Sequence, residues 1–467
     1  MAMAALVAIA TVACQGQAGI VPPLEQHPQI QVFFNHNQAA KYTDPYRNIE
    51  RLGDNLEKII VDNINAAKSS LDIAVQELRL PNIALAIADA KVRGIKVRLI
   101  LENSYSRGWS ELSDAEIADL APREREHYQE FFKFADLNND GQLSENERDR
   151  RDAIRFIKLV NIPWIDDTAD GSKGSGLMHH KFIVIDNRIV ILGSPNFTMS
   201  DIHGDFTRPD TRGNANNLLR IESPELAARF QQEFDIMWGD GPGGKPDSLF
   251  GTNKPLRKID YFIIGGAQVR LKFSPAAKDV AREQTSNGLI ATAIAGSKKS
   301  IDMALFVASD RYLSSILQDK SQQNIPIRAL VDSRFAYRDY SITLDMWGIQ
   351  SAKDCKLGTN NAWKQPIKTV GVPNLVTGDL LHHKFAVLDR NSVITGSHNW
   401  TLAGNHTNDE ALVVIQNDKV AAHYQREYDR LYQDASFGPS AKLSQASTQS
   451  CNGKGNLKKE DLKDPDI

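Results

Sequence analysis

The chain has 467 residues, 41% hydrophobic and 24% charged, an ordinary globular balance for two or three domains. Lys and Arg number 55 against 58 Asp and Glu, and a net charge of -3 argues against a generally basic nucleic-acid binder while leaving room for a basic cleft. No run approaches the roughly 20 apolar residues of a spanning helix.

The first segment, residues 1–28, reads as an export signal and linker. Ala4 to Ala13 is a short apolar run ending at Cys14, and the first basic residue is Lys41. The basic start of a signal is missing, so the run is expected to be the end of one that begins upstream. Thr11-Val12-Ala13-Cys14 resembles a bacterial lipobox, with Thr11 where Leu is favoured. The expected location is therefore outside the bacterial cytoplasm: periplasmic, anchored as a lipoprotein, or secreted. The cysteines are Cys14, Cys355 and Cys451. With Cys14 lipidated or removed, Cys355 and Cys451 remain to pair in an oxidising compartment, although sequence alone does not bring them together.

The chain then repeats itself. Val61 to Leu101 and Ile290 to Val331 both predict helix, strand, helix, strand. Leu71-Asp72-Ile73-Ala74 corresponds to Ile301-Asp302-Met303-Ala304. Each copy ends in a helix with aromatics four residues apart: Phe230, Phe234 and Trp238, then Tyr424, Tyr428 and Tyr432. That spacing places them on one face, as core packing requires. The alternation predicts an α/β sandwich with mixed sheets covered by helices. The first copy spans 29–245 and the second 266–437, joined by a linker over 246–265, and a polar tail occupies 438–467.

The stretch from Asp72 to His179 is about 27 residues longer than that from Asp302 to His382, which marks an insertion at about 123–159 in the first copy. It contains Asp136-x-Asn138-x-Asp140-Gly141-x5-Glu147, the pattern of an EF-hand loop. Asp136, Asn138, Asp140 and Glu147 would supply side-chain oxygens to Ca²⁺, and Gln142 its backbone carbonyl. Helices are expected over Arg123 to Ala135 and Ser144 to Leu159. The blander reading is a solvated acidic turn. A structural calcium is expected, and no cofactor for catalysis.

Each copy next carries a matched motif. One is His179-x-Lys181-x4-Asp186 followed by Gly193-Ser194-x-Asn196; the other is His382-x-Lys384-x4-Asp389 followed by Gly396-Ser397-x-Asn399. Alternate residues of a strand share a face, so each His projects with its Lys. His180 and His383 point the other way, toward core. Asp186 and Asp389 lie at strand ends and are expected either to brace a turn or to touch chemistry.

On these paired motifs the chain resembles the phospholipase D superfamily, over roughly residues 29 to 437. The resemblance implies two pseudo-symmetric α/β sandwich repeats that share one phosphodiesterase site. It implies catalytic roles for the two His, Lys and Asp of each motif, His179 attacking phosphorus and His382 acting as acid through a covalent phosphohistidine. Ser194, Asn196, Ser397 and Asn399 would hold the phosphate. One asymmetry stands out. Asn408-x-Glu410 follows the second motif where the first copy has Asn214 and Asn216. Glu410 would accept a hydrogen bond from an imidazole and raise its basicity, and Asn216 would orient a ring without adding charge.

The expected activity is hydrolysis of phospholipid head-group diesters at a membrane surface, with transfer to an alcohol as a variant. An exported endonuclease of the same superfamily, acting on nucleic acid, is the runner-up. A non-catalytic calcium-dependent binding protein is the third reading. No obligatory protein partner is implied.

Overall fold

The computed structural model describes residues 21–172, 174–350, 352–353, 356–357 and 360–439. Cys14 with the export segment, Cys355 and Cys451 with their expected pairing, and the tail from 440 onward lie outside the described residues. Two large mixed sheets dominate. The first runs Ile30–Phe34, Asn217–Glu222, Ile189–Gly193, Lys181–Ile185, Ser70–Val75, Lys96–Leu101, Trp164–Asp166. The second runs Asp260–Ile264, Ala267–Ser274, Glu410–Gln416, Ser392–Gly396, Lys384–Leu388, Ile301–Leu305, Ile327–Val331, Val370–Val372, Ser436–Phe437.

The same local unit builds both. In the first copy, helix Leu56–Ala66 leads to strand Ser70–Val75, and helix Pro81–Val92 crosses over to the parallel strand Lys96–Leu101. Pro81 sits where a helix needs no N–H partner, which fixes the start of that crossover. In the second copy, helices Ser286–Gly296 and Arg311–Gln322 flank strand Ile301–Leu305, which pairs in parallel with Ile327–Val331. Both motif strands pair antiparallel to the first strand of their unit: Val75 lies opposite Lys181, and Leu305 opposite Lys384.

Strand alternation sorts the core into layers. Phe182 and Val184, with Phe385 and Val387, face a central cluster between the sheets. Ile183 and Ile185 face the outer helices of the first copy, and Ala386 and Leu388 those of the second. The terminal helices Pro224–Trp238 and Asp418–Gln433 put Phe230, Phe234, Trp238, Tyr424 and Tyr428 into the central cluster, with Tyr432 packed against it. Phe230 meets Phe273 of the second sheet at 5.0 Å, and Tyr424 meets Phe34 of the first at 5.1 Å. The two copies thus share one apolar interior.

Two segments differ from expectation. The helix foreseen over Ser144 to Leu159 is two, Glu145–Arg151 and Ala153–Leu159. Asp152 ends the first and caps the second, its carboxylate accepting from the N–H groups of Ile154 and Arg155. The segment 246–265 carries the edge strand Asp260–Ile264 and, before it, a strap that buries Ser248, Phe250, Gly251 and Lys254. Lys254 of the strap is fully enclosed, paired with Glu233 and, at 2.6 Å, with Asp409.

Candidate active site

Each motif strand starts just inside the seam between the copies, and the seam is stitched by backbone. The N–H of His179 donates to the carbonyl of Asp409 at 3.0 Å, and the N–H of Ala215 to that of Leu380 at 2.7 Å. Short parallel bridges join Met178 to Asp409 and Ala215 to Leu381. Each stitch carries a residue of one copy to the histidine of the other. His179 Nδ1 lies 2.8 Å from Glu410 Oε2, and His382 Nδ1 lies 3.0 Å from Asn216 Oδ1.

These contacts fix the protons. A carboxylate only accepts, so His179 carries its proton on Nδ1 and presents Nε2 as a lone pair. The Asn216 amide nitrogen donates to the carbonyls of Asp201 and Asn214 at 2.9 and 3.1 Å, which leaves its oxygen to accept from His382 Nδ1–H. Both rings therefore leave Nε2 outside these contacts. They are buried, 5% and 6% exposed. Burial, then the positive charge of Lys181 and Lys384, holds both well below the ordinary imidazole value.

The lysines project with their histidines, as the strand period requires. Lys181 Nζ donates to Gln76 Oε1 and to the His179 carbonyl, each at 3.0 Å. Lys384 Nζ donates to the His382 carbonyl at 2.8 Å and sits 4.8 Å from the centre of the Phe306 ring. Burial lowers Lys181 to about 8, against the opposing pull of Glu410 and Asp201. Gln76 and Phe306 occupy the same place in the two copies, each just beyond the strand opposite the motif strand. Gln76 thus sets an amide beside Lys181, and Phe306 an aromatic ring beside Lys384. Phe306 also meets the His382 ring edge-on at 4.7 Å and continues into Phe335.

Four predicted site residues are engaged by the backbone or by neighbouring side chains. Asp186 and Asp389 brace turns, the first of the two roles expected for them. Asp186 accepts from the N–H groups of Lys68, Ser69 and Ser70, and Asp389 from those of Lys298, Lys299 and Ser300. Both also open two-residue turns of positive φ, Asp186-Asn187 and Asp389-Arg390, which aspartate tolerates through its short polar side chain. Ser194 and Ser397, expected to hold phosphate, have hydroxyls turned to other partners. Ser194 Oγ gives its one proton to Asn216 Oδ1 at 2.7 Å and accepts from the N–H of Asn217. Ser397 Oγ accepts from the N–H of Ala411, the residue after Glu410, at 3.1 Å. The serines position the partners of the histidines. Asn196 and Asn399 differ: each is half-buried, with an amide oxygen enclosed and without a hydrogen-bond partner. His180 and His383 lie on the far face, as the strand period predicts. There His180 approaches Glu233 at 3.5 Å and His383 bonds to Glu427 at 3.0 Å.

Sequence reasoning missed Asp201. It is 3% exposed, in the short helix Met199–Ile202, with Oδ1 3.6 Å from His382 Nδ1. The only signal for it was that Gly404 stands at the matching place, counted from the Gly-Ser-x-Asn of each copy.

The EF-hand-like loop follows helix Pro122–Ala135 and precedes Glu145–Arg151. Gly141 takes the positive φ of 78° that its sharp turn needs. Asp136 accepts from the N–H groups of Asp140 and Gly141, Asn138 from that of Asp140, and Asp140 from that of Gln142. Glu147 folds back onto the N–H of Leu137 at 2.8 Å. The loop has the frame and the inward oxygens of the pattern. No group of three or more His, Cys, Asp or Glu side chains is gathered to hold a metal among the described residues. The helix before the loop reaches the site indirectly. Glu130 accepts from the N–H of Thr207 at 3.0 Å, and Phe134 meets Phe206 at 5.4 Å, on the loop that leads to Asn214 and Asn216.

The family described as cardiolipin synthase, PLD-like domain, matches residues 60–238 and 290–432. The mitochondrial cardiolipin hydrolase of Xenopus laevis is 23% identical over 186 residues, 39% of this chain and 79% of that protein. The protein of the same name from Xenopus tropicalis is 37% identical over 71 residues, 15% of this chain and 34% of its own length. Among solved structures, the phosphatidylserine synthase of Haemophilus influenzae Rd KW20 shares the fold. Its TM-score is 0.51 at 11% identity, over 89% of this chain and 88% of that one. With both of its copies matched, the chain belongs to the phospholipase D-like family.

Proposed function

We propose that the protein hydrolyses phospholipid phosphodiesters by double displacement at a single site, with His179 as nucleophile. The carrying observation is the crossed pairing of the histidines, one with a carboxylate and one with an amide. His179 Nε2 attacks phosphorus while the bond to the head-group oxygen breaks, and His382 Nε2–H delivers the proton to that oxygen. The His179 ring then carries a positive charge, and Glu410 at 2.8 Å is placed to stabilise it. Water next attacks phosphorus, the P–N bond breaks, and His382 takes the water proton. Lys181, Lys384 and the Asn196 and Asn399 amides would carry the charge of the five-coordinate states. The diester's negative charge would offset that of the lysines, which together with burial lower His382.

The lipid reading draws support from the family description, from relatives named for cardiolipin, and from the apolar Phe306–Phe335 wall beside the phosphate site. We further propose that loop 136–147 binds a structural Ca²⁺. An exported protein would meet enough of it to fill a site of about 0.1–1 mM.

The test compares the protein with His179→Ala on phosphatidylcholine vesicles and on single-stranded DNA, in one calcium-containing buffer. Head-group release lost in the variant supports the lipid reading. DNA cleavage lost in the variant, without lipid turnover, replaces it with an endonuclease. The absence of any His179-dependent turnover removes the enzymatic reading for both substrates and favours a calcium-dependent binding protein.

A further inference from the structure

The two histidines have unequal partners, and a second buried acidic side chain lies beside the one without a carboxylate. Glu410 touches His179 directly, whereas the matching position facing His382 is the neutral Asn216. A carboxylate nevertheless lies behind that amide. Asp201 Oδ1 is 3.6 Å from His382 Nδ1 and 3.3 Å from the Asn216 amide nitrogen. It also accepts from Asn214 Nδ2 at 2.6 Å, and its other oxygen accepts from the N–H of Asn196 at 2.7 Å. The second copy has Gly404 at this place, so the acid is a feature of the first copy alone.

We infer that Asp201 is the positioning residue that lets His382 serve as general acid, its carboxylate standing in for the one that Asn216 lacks. The inference rests on the reaction proposed above. The unequal arrangement matches unequal tasks. His179 gains positive charge as the P–N bond forms, and a carboxylate in direct contact stabilises that gain. His382 must hold a proton and then release it to the leaving oxygen. A carboxylate set back behind an amide favours the imidazolium without clamping it. Asp201 also fixes the amide that orients the ring and the backbone of the phosphate-side Asn196, so it links acid, ring and phosphate in one buried network.

The test exploits the leaving group, because p-nitrophenol departs without a proton and an alcohol does not. Single-turnover release would be measured for phosphatidyl-p-nitrophenol against phosphatidylcholine in the same vesicles. In parallel, thymidine 5′-p-nitrophenyl phosphate would be compared with a thymidine dinucleotide. Asp201→Asn is expected to slow alcohol release by about 100-fold and p-nitrophenol release by no more than about threefold. Adding Asn216→Asp, which puts a carboxylate oxygen where the amide oxygen meets His382, is expected to restore at least about tenfold of the alcohol loss. Equal losses on both leaving groups, or no loss on either, would overturn the inference, and so would failure of the second substitution to rescue. Turnover of the nucleotide pair alone by the unaltered protein would overturn the lipid reading yet leave the same ratio to judge Asp201. Turnover of neither pair would overturn both.

Discussion

Lysine chemistry sets the first pH prediction. Burial holds Lys181 at about 8, and burial with the neighbouring Lys181 charge holds Lys384 well below its ordinary value. A lysine must be protonated to carry phosphate charge, and a depressed value means the proton is lost as pH rises through it. kcat/KM is therefore expected to fall on an alkaline limb no higher than about pH 8. Lys181→Arg, whose guanidinium keeps its charge, should retain an alkaline limb, set by Lys384 and by the acid His382, both also held below their ordinary values by burial and neighbouring lysine charge. A limb well above pH 8 in the unaltered protein would contradict the account. The same burial explains what the sequence did and did not reveal at this scale. The His-x-Lys pairs were legible because a strand shows every second residue on one face. The bracing of Asp186 and Asp389 was legible from their place at strand ends, whereas the partners of Ser194 and Ser397 were not, because a hydroxyl's hydrogen bonds leave no trace in residue spacing. Asp201 was hidden for a related reason: it reaches His382 through the fold of a short turn, not through a repeat.

Among the elements, the repeated helix–strand–helix–strand unit was legible down to the strand pairs, since apolar periodicity reports each strand and helix directly. The strap before Asp260 was not. Its Gly, Pro and charged residues read as a linker, and only the fold shows Lys254 and Arg257 meeting the buried Glu233. The helix break at Asp152 was missed because a capping aspartate also fits a helix face. The EF-hand-like element carries the metal prediction. Its helix packs on the loop that leads to Asn216, but its oxygens reach no reacting group. Removing Ca²⁺ with EDTA should therefore lower the melting temperature, consistent with about 1–2 kcal/mol of binding linkage. Turnover per folded molecule should change far less. Activity abolished in a chelated sample whose circular dichroism and melting cooperativity are unchanged would refute a purely structural role. A melting temperature indifferent to both EDTA and added Ca²⁺ would refute the site.

At the scale of the molecule, the two copies make one site because neither is complete alone. His179 takes its carboxylate from the second copy, and His382 takes its amide and the nearby Asp201 from the first. The shared central cluster, with Phe230 against Phe273 and Tyr424 against Phe34, keeps that seam closed. The sequence showed the duplication, and the resemblance implied that the copies converge. Which residue crosses to which histidine required the backbone stitches at Asp409 and Ala215. The most direct test of the account is to trap the intermediate. His382→Ala, mixed with phosphatidyl-p-nitrophenol and quenched rapidly, would be digested under alkaline conditions and mapped by mass spectrometry. The account predicts a phosphatidyl adduct on His179 that accumulates, because the base that activates water is gone, and no adduct in His179→Ala. An adduct on His382 in the unaltered protein, or turnover with none on either histidine, would contradict it.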